Sequence, residues 1–138
     1  MTIHTVYSDT HVRLHRVFEN SLRAVEPDAV LISHRLGQDG NGEFRNRGWH
    51  SMMTAKVRAI LTACETGTPF MFADCDILWL RPFAAIADIL LRREVSVMFQ
   101  QHGNETKLWP CTGLFLVRNC AEARRMWLGV MDTIHNFP

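Results

Sequence analysis

A chain of 138 residues is one domain's worth, long enough for a single buried core. Hydrophobic residues at 47% and charged residues at 21% exclude a disordered chain, and a formal net charge of +1 offers no general field to nucleic acid or an anionic membrane. No apolar run approaches the roughly 18 residues of a membrane span, and the opening MTIHTVYSD shows no secretory leader, so neither a span nor a leader is expected.

In chain order, IHTVYS (3–8) reads as a strand, with Asp9 placed to cap a helix over His11 to Val25. Leu14, Val17, Phe18, Leu22 and Val25 recur there at three- and four-residue spacing and give that helix one apolar face. Pro27 closes it, AVLISH (29–34) supplies the next strand, and the Gly- and Asn-rich stretch 37–48 reads as a loop. A second helix runs from Ser51 to Thr66, with Met53, Val57, Ile60, Leu61 and Cys64 as its buried stripe and Gly67 at its end.

PFMFA (69–73) is apolar at consecutive positions, the pattern of a strand covered on both faces. A short helix follows Pro82, from Phe83 to Arg92, and VSVMF (95–99) and GLFLV (113–117) read as further strands. Asn119 with Glu122 three residues on is a capping box for a last helix, whose face carries Met126, Val130, Met131 and Ile134. This alternation is the rhythm of an α/β domain with a mainly parallel central sheet, expected as one domain over residues 1–138.

The four cysteines have no Cys-x-x-Cys spacing and the seven histidines form no evident metal pair. Reduced thiols in a cytoplasmic compartment are the default expectation. The chemistry is concentrated instead in ADCDILWL, where Asp74 and Asp76 follow the apolar strand. Ligands of such sheets sit beyond the carboxyl ends of the strands. In an extended segment two residues apart share a side, so Asp74 and Asp76 would converge while Cys75 turns away. Paired carboxylates repel unless a proton or a cation lies between them, and a hard divalent ion carrying a phosphate-bearing ligand is the natural partner. A structural turn is the plainer account of an isolated Asp-x-Asp. The apolar runs on both sides weigh against it, because acids so placed must find partners.

FMFADCDILWLRPF resembles the DxD segment of nucleotide-diphospho-sugar transferases of the GT-A fold. Upstream, GWHSMMTAKVRAILTACETG is similar to the family's helix before the acid-bearing strand, and downstream CTGLFLVRNCAEARRMW to its turn, strand and helix, with Cys111 where the family carries Asn. The resemblance implies a Rossmann-related, GT-A-like three-layer sandwich and a metal-dependent glycosyltransferase. It implies a nucleoside-diphosphate sugar donor, a UDP-sugar being the favoured case, and a glycan, protein or small-molecule acceptor that the sequence does not identify. Asp76 would ligate Mn2+ or Mg2+ on the donor diphosphate, and Asp74 would hold the donor ribose or the metal. The base would sit near Val6 to Ser8, where Tyr7 stacks on it or simply packs. Thr112 and Gly113 match the turn near the donor sugar, and Gln101 and His102 are placed along the same cleft.

Lys56 reaches the diphosphate as a point charge or is a solvated lysine, and Arg45 and Arg47 close over phosphate or are ordinary loop residues. Trp79 is expected as a packing anchor beneath the site. The family continues past its last helix into a further metal ligand, often His, and much of the acceptor site. That part is expected to be short or missing here, with His135 a weak substitute. Two alternatives compete: a haloacid-dehalogenase-like phosphohydrolase using Asp74 and Asp76, which prefers Thr or Val where Leu78 stands, and a domain that binds a nucleotide sugar with little turnover.

Overall fold

The structure is a computed structural model, described over residues 1–37, 47–102 and 109–136, with the side chains of Arg47 and His102 set aside. Five strands form one sheet: β1 (Thr2–Ser8), β2 (Val30–Leu36), β3 (Phe70–Ala73), β4 (Val97–His102) and β5 (Trp109–Val117). Their spatial order is β2-β1-β3-β5-β4. β1 pairs in parallel with β2 and β3, whereas β5 is antiparallel to both β3 and β4. It follows that β5 alone runs against the other strands, and the sheet is mainly parallel as expected.

Among the described residues four helices cover the two faces: α1 (Val12–Val25), α2 (Arg47–Glu65), α3 (Ala84–Arg92) and α4 (Cys120–Asn136). Side-chain alternation along β3 divides the core between them. Phe70 and Phe72 point into a cluster with Val57 and Ile60 of α2 and Ala123 and Trp127 of α4. Met71 and Ala73 point the other way, to Phe18 and Leu22 of α1 and Leu90 of α3. All four β3 residues are buried, as a strand sandwiched between helix layers requires. This is the three-layer sandwich. Because β1 and β3 are parallel neighbours, their carboxyl ends emerge on one rim.

Element ends follow local chemistry. Gly67 takes φ 70°, a left-handed conformation that costs glycine little, and its N–H donates to the Cys64 carbonyl to close α2. Asn119 Oδ1 accepts the Glu122 N–H at 3.2 Å, so the N-terminal cap of α4 forms, while the Glu122 carboxylate accepts from the Ser96 hydroxyl.

Several expectations need correction. Asp9 does not cap α1. A single 3-10 turn, Asp9–His11, intervenes, and Asp9 instead accepts from Arg35 at 2.7 Å across the β1–β2 edge. On α1 the core is reached by His15, Phe18 and Leu22, leaving Leu14 45% and Val17 54% exposed. The i, i+3, i+4 pattern marks a stripe wider than the contact it makes. On α4, Met126 is exposed and Trp127 takes the core position. β5 begins at Trp109 instead of residue 113, because Trp109–Cys111 pair with Gln100–His102. Thr112 and Gly113 therefore lie inside a strand and not in a turn.

Candidate functional site

The rim where β1 and β3 end is a cleft of about 180 Å³, ample for an ion and its ligands. Tyr7 comes to it from β1, Lys56 from α2, and Asp74, Cys75 and Asp76 from the end of β3. Four residues singled out from the sequence, Asp74, Asp76, Lys56 and Tyr7, are thus brought together.

The chain stops being extended at Asp74. The Ile77 N–H donates to the Asp74 carbonyl at 3.3 Å, turning the backbone over Cys75 and Asp76. Cys75 consequently lines the cleft with both acids and does not turn away from it. Its thiol is buried and is pushed up to about 11, by burial first and then by Asp76 and Asp74, which keeps it a neutral thiol and no nucleophile. Asp76 is exposed at the mouth of the cleft.

Lys56 is neither solvated nor free to reach outward. It is only 6% exposed, and its Nζ donates to Asp74 Oδ1 at 2.7 Å while lying 5.3 Å from the centre of the Phe72 ring. A buried ammonium needs such partners, here a carboxylate and an aromatic face. Burial raises the Asp74 carboxyl above the usual carboxylate range; Lys56 pulls it back by charge and hydrogen bond, and the nearby Asp76 pushes it up again. Among the described residues lining the cleft, two carboxylates face one lysine.

β5 completes the wall. Its register against β4 slips between Phe99 and Gln100, so that Phe99 faces Phe115 but Gln100 faces Cys111. The slip leaves Thr112, Gly113 and Leu114 unpaired with β4, and bulges of this kind re-aim residues beside functional sites. Here it sets the Gly113 carbonyl to accept the Asp74 N–H at 2.7 Å. A Cβ on Gly113 would stand 3.3 Å from Asp74 Oδ2 and 3.4 Å from Cys111 Sγ. The missing side chain is what gives that carboxylate oxygen its room.

Thr112 is exposed on the same bulge, and Gln101 is exposed near the end of β4 opposite Pro110. His102 ends β4, with its side chain outside the described set, and Arg45 lies outside the described residues. Arg47 opens α2, its side chain likewise undescribed. Trp79 is the expected anchor: it packs edge-on to Phe18 and Phe83, and its backbone N–H donates to Ser21 Oγ at 3.1 Å. His135 is exposed in the last turn of α4, and Asp74, Asp76 and the other cleft residues are contributed by other elements.

Sequence reasoning missed four lining residues, His11, Leu14, Met52 and Met53. The three-residue spacing of His11 and Leu14 beside the end of β1 was the available signal, because it puts both on the flank of α1 that faces the strand end. It also missed that the Tyr7 ring stacks on His15, with centroids 4.0 Å apart, a contact between a strand and the following helix that no local pattern marks.

With this geometry, comparison with known proteins is informative. The profile of a family described as nucleotide-diphospho-sugar transferase matches residues 15–138. The fold is similar to a glycosyltransferase involved in glycosylating the major capsid of PBCV-1, with TM-score 0.68 and 13% identity over 99% of this chain and 67% of that one. It is also similar to the galactosyltransferase LgtC, solved with donor and acceptor sugar analogues, with TM-score 0.61 and 14% identity over 97% of this chain and 66% of that one. Against the glycosyltransferase GlyE of Streptococcus pneumoniae TIGR4 the TM-score is 0.65 at 12% identity, over 99% of this chain. The chain spans about two thirds of the length of the first two proteins and 38% of GlyE. No curated protein matches the chain in sequence. At these identities the structural likeness speaks for the fold, a GT-A sandwich, and the profile speaks for the family.

Proposed function

The chain belongs to the nucleotide-diphospho-sugar transferase family, and from that premise we propose that it moves a sugar from a nucleoside-diphosphate donor to an acceptor in a metal-dependent reaction. The observation that carries this reading is the meeting of Asp74, Asp76, Lys56 and Tyr7 in one cleft at the carboxyl rim of the parallel strands. In sheets of this kind, that rim is where ligands bind.

The donor set fits a hard divalent cation. Asp74 and Asp76 offer carboxylate oxygens, Asp76 being exposed; among the described residues no group of three or more His, Cys, Asp or Glu could hold a metal ion by itself, so an ion here would rely on oxygens from the donor and water. Mg2+, and Mn2+ in the same role, is held by one or two carboxylates, with phosphates and water completing its shell. When bound, such an ion supplies Lewis-acid stabilisation of the departing nucleoside diphosphate.

The chain's own residues do the rest. Asp76 is the outward ligand, and Asp74, fixed by Lys56, is the inner ligand or holds the donor ribose. Tyr7, backed by His15, offers a steadied ring to the base of a UDP-sugar. Thr112 and Gly113 border the sugar, and Gln101 and His102 extend the same wall. The acceptor is a glycan, protein or small molecule, and the setting is a cytoplasmic one that keeps the four free thiols reduced. No helix among the described residues is long and apolar enough to cross a membrane.

Replacing an exposed ligand separates binding from folding. The Asp76→Asn variant is expected to lose Mn2+-dependent binding of UDP by calorimetry, with folding stability changed by no more than about 0.5 kcal/mol, as for an ordinary surface substitution. Undiminished binding at limiting Mn2+ contradicts the proposal.

A further inference from the structure

We infer that Lys56 is a built-in counter-ion that takes the place of the divalent cation at Asp74 in the free protein, so that the cleft captures the cation only together with the donor's diphosphate. The inference rests on the donor-binding reading above and concerns how that site is controlled.

The argument is one of charge and occupancy. Asp74 Oδ1 is already engaged by Lys56 Nζ at 2.7 Å, and Oδ2 lies against the bare backbone of Gly113. Lys56 has little freedom to withdraw, since it is 6% exposed and rests against the Phe72 ring. Among the described residues lining it, two carboxylates and one ammonium leave the free cleft with a single net negative charge. A divalent cation arriving alone would reverse that charge beside a buried lysine, and like charges close together in such surroundings repel strongly. A diphosphate arriving alone would meet a negative cleft. When both arrive together the net charge is again what it was, and the phosphates supply the oxygens that two carboxylates cannot. Lys56 on this account is a positioning residue: it acts through Asp74, holding Oδ1 and weakening the hold of the two carboxylates on a cation that arrives without phosphates.

Paramagnetic titration of free Mn2+ with the full chain, with and without UDP or GDP, tests the inference. The unaltered protein is expected to hold Mn2+ at least about ten-fold more tightly with a nucleoside diphosphate than without. The Lys56→Met variant is expected to bind Mn2+ alone at least about ten-fold more tightly than the unaltered protein, closing most of that gap, while Lys56→Arg keeps the original pattern. Lys56→Gln gives the same reading if the apolar variant does not fold. Mn2+ affinity without nucleotide that is unchanged or weakened in the neutral variants overturns the inference, as does equal Mn2+ affinity with and without nucleotide in the unaltered protein. Failure of the underlying reading looks different: no nucleoside diphosphate would then bind any of these proteins in a Mn2+-dependent way.

Discussion

Asp74 is held at three points, its backbone N–H by Gly113, one carboxylate oxygen by Lys56 and its carbonyl by the turn to Ile77, while its other carboxylate oxygen lies beside the empty Cβ position of Gly113. A Gly113→Val variant fills that empty position and pushes on Oδ2. Gly113 sits in an extended strand that tolerates a β-branched residue, so the fold should persist. Binding of UDP with Mn2+ is expected to weaken by about ten-fold or more, the scale on which displaced ligand-supporting groups act. Unaltered affinity by calorimetry, with an unaltered melting curve, contradicts the geometry. At this scale the sequence disclosed identities better than contacts. Asp74 and Asp76 stand out by type and by the apolar strand ahead of them, whereas Lys56 and Tyr7 are reached through the family resemblance. The Lys56–Asp74 bond joins residues eighteen positions apart, and the inward stance of Cys75 depends on the turn at 74–77. Neither leaves a local signature.

The helices show where periodicity stops informing. Val57 and Leu14 both fall on apolar stripes, yet Val57 is 3% exposed beneath the sheet and Leu14 lines the open cleft. A repeat of three and four residues reports a face and not what that face meets. Val57→Asp places an unpaired charge in the core and is expected to cost at least about 3–5 kcal/mol, enough to abolish folding of a domain this size. Leu14→Asp should melt within a few degrees of the unaltered protein, the range of surface substitutions near about 0.5 kcal/mol, and should weaken nucleotide binding by adding a negative charge at the cleft. Thermal melting of the pair decides the matter, and unfolding in both would restore Leu14 to the core. Elements with strong apolar or capping signals, such as β3, Gly67 and Asn119, were legible. The polar end of β4 and the first half of β5 were not, because their pairing and a register slip define them, and hydrophobicity does not record either.

For the whole molecule, the buried His4 couples stability to pH. His4 on β1 is 4% exposed, with its ring edge-on to Phe70 and its Nδ1 3.3 Å from Nε2 of His34 on β2. Burial, and then the His34 charge, lowers His4 from 6.5 to about 4, and burial also lowers His34. The folded chain therefore binds fewer protons here than the unfolded one. The resulting stability is fully present above about pH 6.5 and is lost as pH falls toward 4, by an amount on the order of 3 kcal/mol for His4. Urea unfolding at pH 7 and pH 4.5 should show the loss, and His4→Leu should flatten it; equal slopes for the two proteins would count against a neutral buried His4. His4 lies within the sheet, whereas the proposed function belongs to its rim, where a cation held by Asp74 and Asp76 would grip a diphosphate at the ends of β1 and β3. The most direct test is the melting temperature of the unaltered protein with Mn2+, with a UDP-sugar, and with both. A rise of several degrees only when both are present, as mass action gives for a ligand well above its dissociation constant, is the predicted result. No rise with any nucleoside-diphosphate sugar, or the same rise without the metal, would contradict it.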